Sequence, residues 1–498
     1  MSQQSASYKI SMAATLRASK QGLRIVERER KKKGWNATAA AWYQDAKTSP
    51  ATLKRFRHGK SIDRDVFVAL CKAVGIENWE AIVDDSPLPQ SDARPEFFAY
   101  DDAWVGRGQL VTELSEKLRG SCRLVILLGI TGIGKTALAE RLAVELQDWF
   151  SGDWKNKFKR ANFDYEEKAN DFASVAARWL EEWGERLSPE EKKPELLLYR
   201  LVKHLRENQV LVLIDSLERL LTGNEEDGWG DFADEWWEKF FLSLLSAESC
   251  QSRLIITSQD LPINLAYSRY QTFLHREILY GLTESEQVAL FETTGLDVSE
   301  DSPDKLLLLR IGKAYKGHPL VLRVIIGEIL SEPFNGNVQA YWNDVSSKIE
   351  EVEKALAEAE ADARKVVGVD DDWQLHKLTR KVRFEVNQQR FKSVFDRLES
   401  QVRDAYILIC SASVYRTPVQ EEGWLMQLAN LVKRLENQAC SEERKEKALK
   451  ELCNRYLVEE SVNHNNKRVI GQHNLVRSVA LDYHKKLLQS LKTEAKSE

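Results

Sequence analysis

This sequence has no paired cysteines. Its six cysteines, Cys71, Cys122, Cys250, Cys410, Cys440 and Cys453, are scattered over 498 residues, with no C-x-x-C pair and no histidine at metal spacing. That pattern excludes a disulfide framework and a zinc site, and it predicts free thiols in a reducing compartment. Long apolar runs are also missing. The longest, around residues 124–128 and 320–326, fall far short of the ~20 residues a membrane span requires. The first twenty residues are polar and lack the apolar core of a signal peptide. No internal repeat and no low-complexity tract occurs. The expectation is a soluble, cytoplasmic protein with no membrane partner.

Charge of one sign is scarce overall, with a net charge of -5, but its distribution is uneven. Residues 1–66 hold fifteen Lys/Arg against five Asp/Glu. A basic N-terminus on an otherwise acidic chain points to an interaction module there. The length exceeds what one hydrophobic core organises, and the usual domain size implies about three domains.

Residues 1–85 read as short helices broken by turns. Asn36 opens one helix, Thr48-Ser49-Pro50 resets the chain with Ser49 as N-cap, and the next helix stops at Gly59. Two further helices are expected at 63–74 and near 79–83. Ser86-Pro87-Leu88-Pro89-Gln90-Ser91 has the composition of a linker. From about Trp104 the pattern alternates. Fully apolar runs at 124–128, 210–214 and 254–257 are separated by helical stretches, which indicates a parallel sheet covered by helices on both faces. From Leu282 onward the pattern is helical apart from one hairpin, 457–470, turning at Asn463-His464-Asn465-Asn466. Residues 346–365, rich in Glu, Lys and Ala, read as a solvated helix or helical linker.

The chemistry concentrates in Gly129-Ile130-Thr131-Gly132-Ile133-Gly134-Lys135-Thr136, the G-x-x-x-x-G-K-[ST] pattern of a phosphate-binding P-loop. Its glycines let successive backbone N–H groups turn toward phosphate oxygens. Lys135 supplies a charge for the outer phosphates, Thr136 a hydroxyl for Mg²⁺, and the following helix its positive end. Such a loop needs a carboxylate at the end of a neighbouring strand to hold the metal through water. Asp215, closing Val210-Leu211-Val212-Leu213-Ile214, provides it. Glu218 is a candidate to orient the attacking water, with a solvated helix-start glutamate as the competing reading. The cofactors expected are ATP or ADP and Mg²⁺.

Further segments, in order, resemble the NB-ARC branch of the STAND signalling ATPases. These are Val105-Gly106-Arg107, which in that family lies against adenine; the P-loop itself; Leu279-Tyr280-Gly281-Leu282-Thr283-Glu284; Gly317-His318-Pro319-Leu320; and Gln472-His473-Asn474-Leu475-Val476-Arg477. The resemblance implies nucleotide contacts from Val105, Gly106, Arg107, Gly129, Gly132, Ile133, Gly134, Lys135, Thr136, Pro319 and His473, the last reaching the β-phosphate of ADP. For His473 a packing role is the alternative. The resemblance also implies an order of parts: a basic helix-turn-helix-like domain at 1–85 and a linker at 86–103, followed by an α/β P-loop NTPase domain at 104–280. A small helical domain at 281–345, a helical linker at 346–380 and a winged-helix domain with a short tail at 381–498 complete it. The sequence departs from the family at Asn474 (aspartate there), Ser216 (often a second acid) and Gln259 (often a sensing arginine). No ligand-detecting repeats follow the winged helix, so a separate sensor polypeptide is one expectation.

Residues 36–80 resemble a phage-repressor helix-turn-helix, an all-α domain whose second helix would present Thr52, Lys54, Arg55 and Arg57 to DNA. A small protein-interaction domain with a basic face is the equal alternative. The function implied is a slow ATPase acting as a switch, closed with ADP and self-associating with ATP, which controls a DNA or adaptor-protein interaction. A continuously hydrolysing DNA-acting ATPase and a nucleotide-regulated transcription factor are the alternatives.

Overall fold

A computed structural model describes residues 15–35, 39–48, 50–57, 62–83, 104–150, 154–164, 170–224, 228–265, 270–367, 372–462 and 468–494. The chain divides into two compact units, Met1–Arg94 and Pro95–Glu498. The 86–103 linker lies outside the described residues.

The first unit contains β1 (Thr15–Leu16), α1 (Lys20–Lys32), α2 (Ala40–Asp45), α3 (Pro50–Arg57), β2 (Ile62–Asp63) and α4 (Arg64–Ala73). An all-α unit is the sequence expectation, but β1 and β2 pair antiparallel, Leu16 opposite Ile62. Two residues on each side carry too little pattern to read from sequence. The core is an aromatic chain of Trp42, Phe56, Phe67 and Trp79, in which successive rings meet edge to face. Trp42 Nε1 is satisfied by the Leu70 carbonyl at 3.0 Å.

The second unit opens with α5 (Gly108–Arg119), β3 (Leu124–Leu128), α6 (Lys135–Glu145) and β4 (Phe158–Asn162). Next come α7 (Phe172–Glu182), α8 (Pro194–Glu207), β5 (Leu211–Asp215), a hairpin of β6 (Leu221–Asn224) and β7 (Gly228–Phe232), α9 (Glu235–Ser246), β8 (Arg253–Ser258) and β9 (Leu274–Ile278). The five-stranded sheet runs β4-β5-β8-β3-β9, with every pair parallel. Because side chains alternate across a strand, β3 serves two cores. Leu124, Ile126 and Leu128 pack with Trp179, Trp237 and Phe240, while Val125 and Leu127 pack with Leu114, Leu138 and Leu142. The edge strands β4 (FKRAN) and β9 (LHREI) are only partly buried and carry charged residues. A strand search based on apolar runs therefore overlooks them.

The rest of the unit is helical: α10 (Glu284–Thr294), α11 (Pro303–Ala314), α12 (Pro319–Leu330), α13 (Val338–Val367), α14 (Asp372–Gln401) and α15 (Arg403–Ala412). After β10 (Val419–Gln420) come α16 (Glu421–Glu436), α17 (Glu442–Asn454), β11 (Glu459–Val462), β12 (Arg468–Gly471) and α18 (Asn474–Glu494). One continuous core joins α10 through α18. The sheet order β10-β12-β11 places the short strand beside the expected hairpin.

Of the stretch 346–380, expected as a helical linker, residues 346–367 and 372–380 belong to two 30-residue helices, α13 and α14. They run antiparallel, with Asp344 paired to Arg397 and Glu360 to Arg383. Ile349, Leu356 and Ala363 are buried along one side of α13, a seven-residue spacing that gives the helix a packed seam. Its Glu/Lys/Ala-rich composition records the other, solvated side. At the base, the buried Glu328 of α12 takes Arg390 and, at 3.5 Å, Arg397 of α14. Among the described residues no helix is long and apolar enough to cross a membrane.

Candidate functional site

Parallel register aligns the strand ends. Leu128 lies opposite Ser258 and Ile278, and Asn162 lies opposite Asp215. The loop 129–134 therefore leaves the sheet at its carboxyl edge, where helix N-termini and loops converge.

The carbonyls of that loop are taken one after another. Lys135 Nζ donates to Gly129 O at 2.8 Å and Ile130 O at 3.1 Å. His318 Nε2 reaches Thr131 O at 3.0 Å, Leu320 N donates to Gly132 O at 3.4 Å, and Arg107 Nη2 donates to Ile133 O at 2.8 Å. Gly134 O takes Leu138 N at 3.1 Å and Arg107 Nη1 at 3.4 Å. Gly132 and Gly134 have φ of +81° and +93°, the left-handed region that suits glycine. A Cβ on Gly132 would lie 2.8 Å from the His318 ring and 2.9 Å from Leu320, so no larger residue fits against the start of α12.

Asp215 is the hub of the polar groups. Its Oδ1 accepts from Thr136 Oγ1 at 2.9 Å and Thr257 Oγ1 at 2.5 Å. Its Oδ2 accepts from Arg160 at 3.1 Å and Asn162 at 3.2 Å. Arg160 also pairs with the fully buried Glu140 of α6 at 2.8 Å. A buried carboxylate costs several kcal/mol unless paired and hydrogen-bonded, and here four donors meet it. Beyond Asp215, Ser216 has a left-handed φ of +65° and its hydroxyl contacts the Asp164 carboxylate, which Arg219 also holds at 2.7 Å. Glu218 is buried and accepts Gln259 N at 3.2 Å. Burial pushes its carboxyl up to about 7, opposed by the charge of Lys135 and reinforced by Asp164.

The sequence-predicted residues divide clearly. Lys135, Thr136 and Asp215 come together, with Glu218 close enough to feel the lysine. Arg107 binds the outside of the loop, its backbone N–H held by Glu286 Oε1 at 2.6 Å, and a side chain on Gly106 would collide with the same glutamate. Val105 packs against the helical core. Pro319 is the first residue of α12, capped by His318, whose ring nitrogen accepts Val321 N at 3.3 Å. Burial holds His318 down to about 3. His473 precedes α18, and burial followed by the charges of Lys135 and Arg323 pushes it down to about 4, with Asp215 opposing. Both rings are therefore neutral at pH 7. A cavity of about 260 Å³ adjoins the loop, lined by Ile130, Ile133, Leu279, Tyr315, His318 and Arg383 among others. On α3, Arg55 is exposed and Thr52 and Arg57 are half-buried. The Lys54 side chain and Ser49 lie outside the described residues.

Sequence reasoning missed Arg160, Asn162, Asp164 and the donor role of His318. The first three sit on or just after an edge strand that has no apolar signature. Thr257 could have been found as the polar end of an apolar strand. Among the described residues no group of three or more His, Cys, Asp or Glu could hold a metal. The donors present, one hydroxyl and one carboxylate, are oxygen ligands of the kind that suits Mg²⁺ rather than zinc.

A glycine loop on a strand end, its lysine, its hydroxyl and a facing carboxylate define a P-loop ATPase domain built on a parallel α/β sheet. A family profile described as "AAA domain" matches residues 118–260. An uncharacterised WD repeat-containing protein of Nostoc sp. is 26% identical over 369 residues, 66% of this chain and 29% of that protein. Among solved structures, a STAND protein with a tetratricopeptide repeat sensor from Pyrococcus horikoshii aligns at 16% identity and a TM-score of 0.42, over 80% of this chain and 44% of that one. The Aeropyrum pernix ORC2 protein aligns at 13% identity and a TM-score of 0.30, over 79% and 98%. The chain thus spans less than half the length of the first two proteins it resembles.

Three predictions come from this geometry. Lys135→Ala should abolish calorimetrically measurable ATP and ADP binding while the circular-dichroism spectrum stays folded. Asp215→Ala should remove chiefly the Mg²⁺ dependence of binding. Unchanged affinities in folded Lys135→Ala would refute the site.

The third concerns Glu218. Below pH 4.5 its carboxyl is protonated in folded and unfolded chains alike. As pH rises toward about 7 the unfolded chain ionises first, so the raised folded value costs stability, on the order of 3 kcal/mol once both forms are ionised. Glu218→Gln does not titrate and should keep that stability. Thermal midpoints measured across this window should diverge in favour of the variant as pH rises, and parallel curves would show an ordinary carboxyl.

Proposed function

We propose that this chain is an ATP/ADP-dependent signalling switch of the STAND, NB-ARC type, closed with ADP and self-associating with ATP. The observation that carries this reading is the grip of the helical segments on the phosphate loop. His318 and Leu320 bond Thr131 and Gly132, and His473 feels the charge of Lys135. A nucleotide bound in the loop therefore rests on backbone that parts of the chain remote in sequence hold, and only contacts that differ between two states shift an equilibrium. The order α15, β10, α16, α17, β11, β12 supports a winged-helix reading of the C-terminal segment. Thr136 and Asp215 would hold Mg²⁺, which supplies charge neutralisation for the phosphates. Lys135 and the backbone of 129–134 orient the phosphates, and Glu218 is positioned beside them as the candidate to orient water. The STAND protein from Pyrococcus horikoshii carries a tetratricopeptide repeat sensor, and a sensor on a separate polypeptide is part of the proposal.

In this reading His473 ties the closed form to the β-phosphate of ADP. One such bond is worth roughly 1.5–3 kcal/mol, about a ten- to hundredfold population shift. His473→Ala should therefore self-associate at lower ATP than wild type, as read by size exclusion with light scattering in ADP and in a non-hydrolysable ATP analogue. A variant that stays monomeric in both, with unchanged ADP affinity, makes His473 a packing residue.

The basic first unit is proposed as the output, with DNA and an adaptor protein as the two candidate partners. The exposed Arg55 and half-buried Arg57 of α3 support DNA. The full chain should then bind duplex DNA with a steep inverse salt dependence, and Arg55→Glu with Arg57→Glu should abolish it. No binding at low salt would favour the adaptor.

A further inference from the structure

The phosphate loop borders a cavity that its phosphate-binding groups do not line. The volume is about 260 Å³, just under the ~300–1,000 Å³ typical of small-molecule pockets. The loop contributes Ile130 and Ile133 to the wall, whereas Lys135 and Thr136 are not part of it. Leu279 and Gly281, beyond the end of β9, form a second side. The helical hairpin forms a third, with Leu356 of α13 and with Arg383, Val386 and Asn387 of α14. Spacings of three and four residues put those three on one helix face. Interiors are close-packed, which sets a cavity of this size apart from ordinary packing gaps.

Its walls differ in character. Ile130, Ile133, Leu279, Leu356 and Val386 make one part apolar. The other part is cationic. Glu360, one turn along α13 from Leu356, meets Lys316 at 3.1 Å and Arg383 at 3.7 Å. Two cations against one carboxylate leave this group with one positive charge, and Lys316 and Arg383 both line the cavity. His318, also in the wall, adds none, because burial keeps its ring neutral at pH 7. The Arg383 Nε is buried with no hydrogen-bond partner, and the contact with Glu360 is longer than a hydrogen bond. Buried polar nitrogens are normally met by an acceptor. The Nε–Nη2 edge of a guanidinium is a planar pair of donors, the geometry in which arginine takes a carboxylate.

We propose that this cavity is a second ligand site, separate from the nucleotide's, for a small carboxylic acid with an apolar body of about eight carbons. The carboxylate pairs with Arg383, and the body packs on Ile130, Ile133 and Leu356. Such a ligand acts on the phosphate loop from outside. Ile130 and Ile133 belong to that loop, and His318 holds the Thr131 carbonyl. Occupancy of the two sites is then coupled, and the coupling is reciprocal. The assignment goes beyond the proposed switch and stands independently of it.

The test is calorimetric titration of the full chain with octanoate, using 1-octanol as the uncharged control. Wild type should bind octanoate saturably and 1-octanol about ten- to hundredfold more weakly. Arg383→Gln should weaken octanoate by the same factor. Val386→Phe, whose larger side chain fills the cavity, should abolish binding, with circular dichroism checking that both variants are folded. No saturable octanoate binding in wild type overturns the proposal, as does equal affinity for 1-octanol or unchanged affinity in the folded variants. Titration in rising Mg²⁺-ADP separates the two sites. The octanoate affinity should hold or shift to a plateau, as a ternary complex requires. A fall that continues without a plateau would make the cavity part of the nucleotide site and overturn the assignment. Protein that binds octanoate but neither ADP nor ATP would leave this site standing and refute the reading of the loop.

Discussion

A phosphate loop must aim its amides at a ligand, so its carbonyls have to find partners elsewhere. Buried backbone carbonyls are not left unpaired at small cost. In this chain the partners come from four places: Lys135 in the loop, Arg107 ahead of α5, His318 and Leu320 at the start of α12, and the first turn of α6. Everything else about the site follows from where those donors are mounted. Because two of them sit on helical segments more than 180 residues away in sequence, the loop cannot rearrange without disturbing the helical core.

The charged groups obey the same economy. Asp215 meets two hydroxyls, an arginine and an amide. Glu140 is neutralised by the same arginine, and Asp260 by two cations from α14. Glu218 is the exception. It accepts the Gln259 N–H, and burial pushes its carboxyl up to about 7 against the opposing charge of Lys135, as loss of water should do to a carboxyl. A perturbed acid at the mouth of a phosphate loop is the kind of group that chemistry uses.

Much of this was legible in advance where local signals are strong. The strands 124–128 and 253–258, the loop motif, Asp215 and the C-terminal hairpin stand out because fully buried strands are unbroken apolar runs and because glycine spacing is specific. The edge strands β4 and β9 were illegible, since partial exposure lets charged residues in, and with β4 went Arg160 and Asn162. Residues 346–380 were read as a linker because solvated residues dominate the composition of α13. The buried seam is only one side of the helix, and its value appears only when α14 packs on it.

By itself, then, the sequence determined that a phosphate loop lies on a parallel sheet and which lysine, hydroxyl and carboxylate stand at it, because those groups are set by short spacings and by strand-end positions. Only the tertiary structure decided what surrounds them. The pairing of Arg380 with Asp260, of His318 with Thr131 and of Arg160 with Asp215 spans between 55 and 187 residues. No local periodicity records such distances. The first two are created when the helical core, organised by its own apolar seams, closes over the carboxyl edge of the sheet, and the third when β4 pairs with β5.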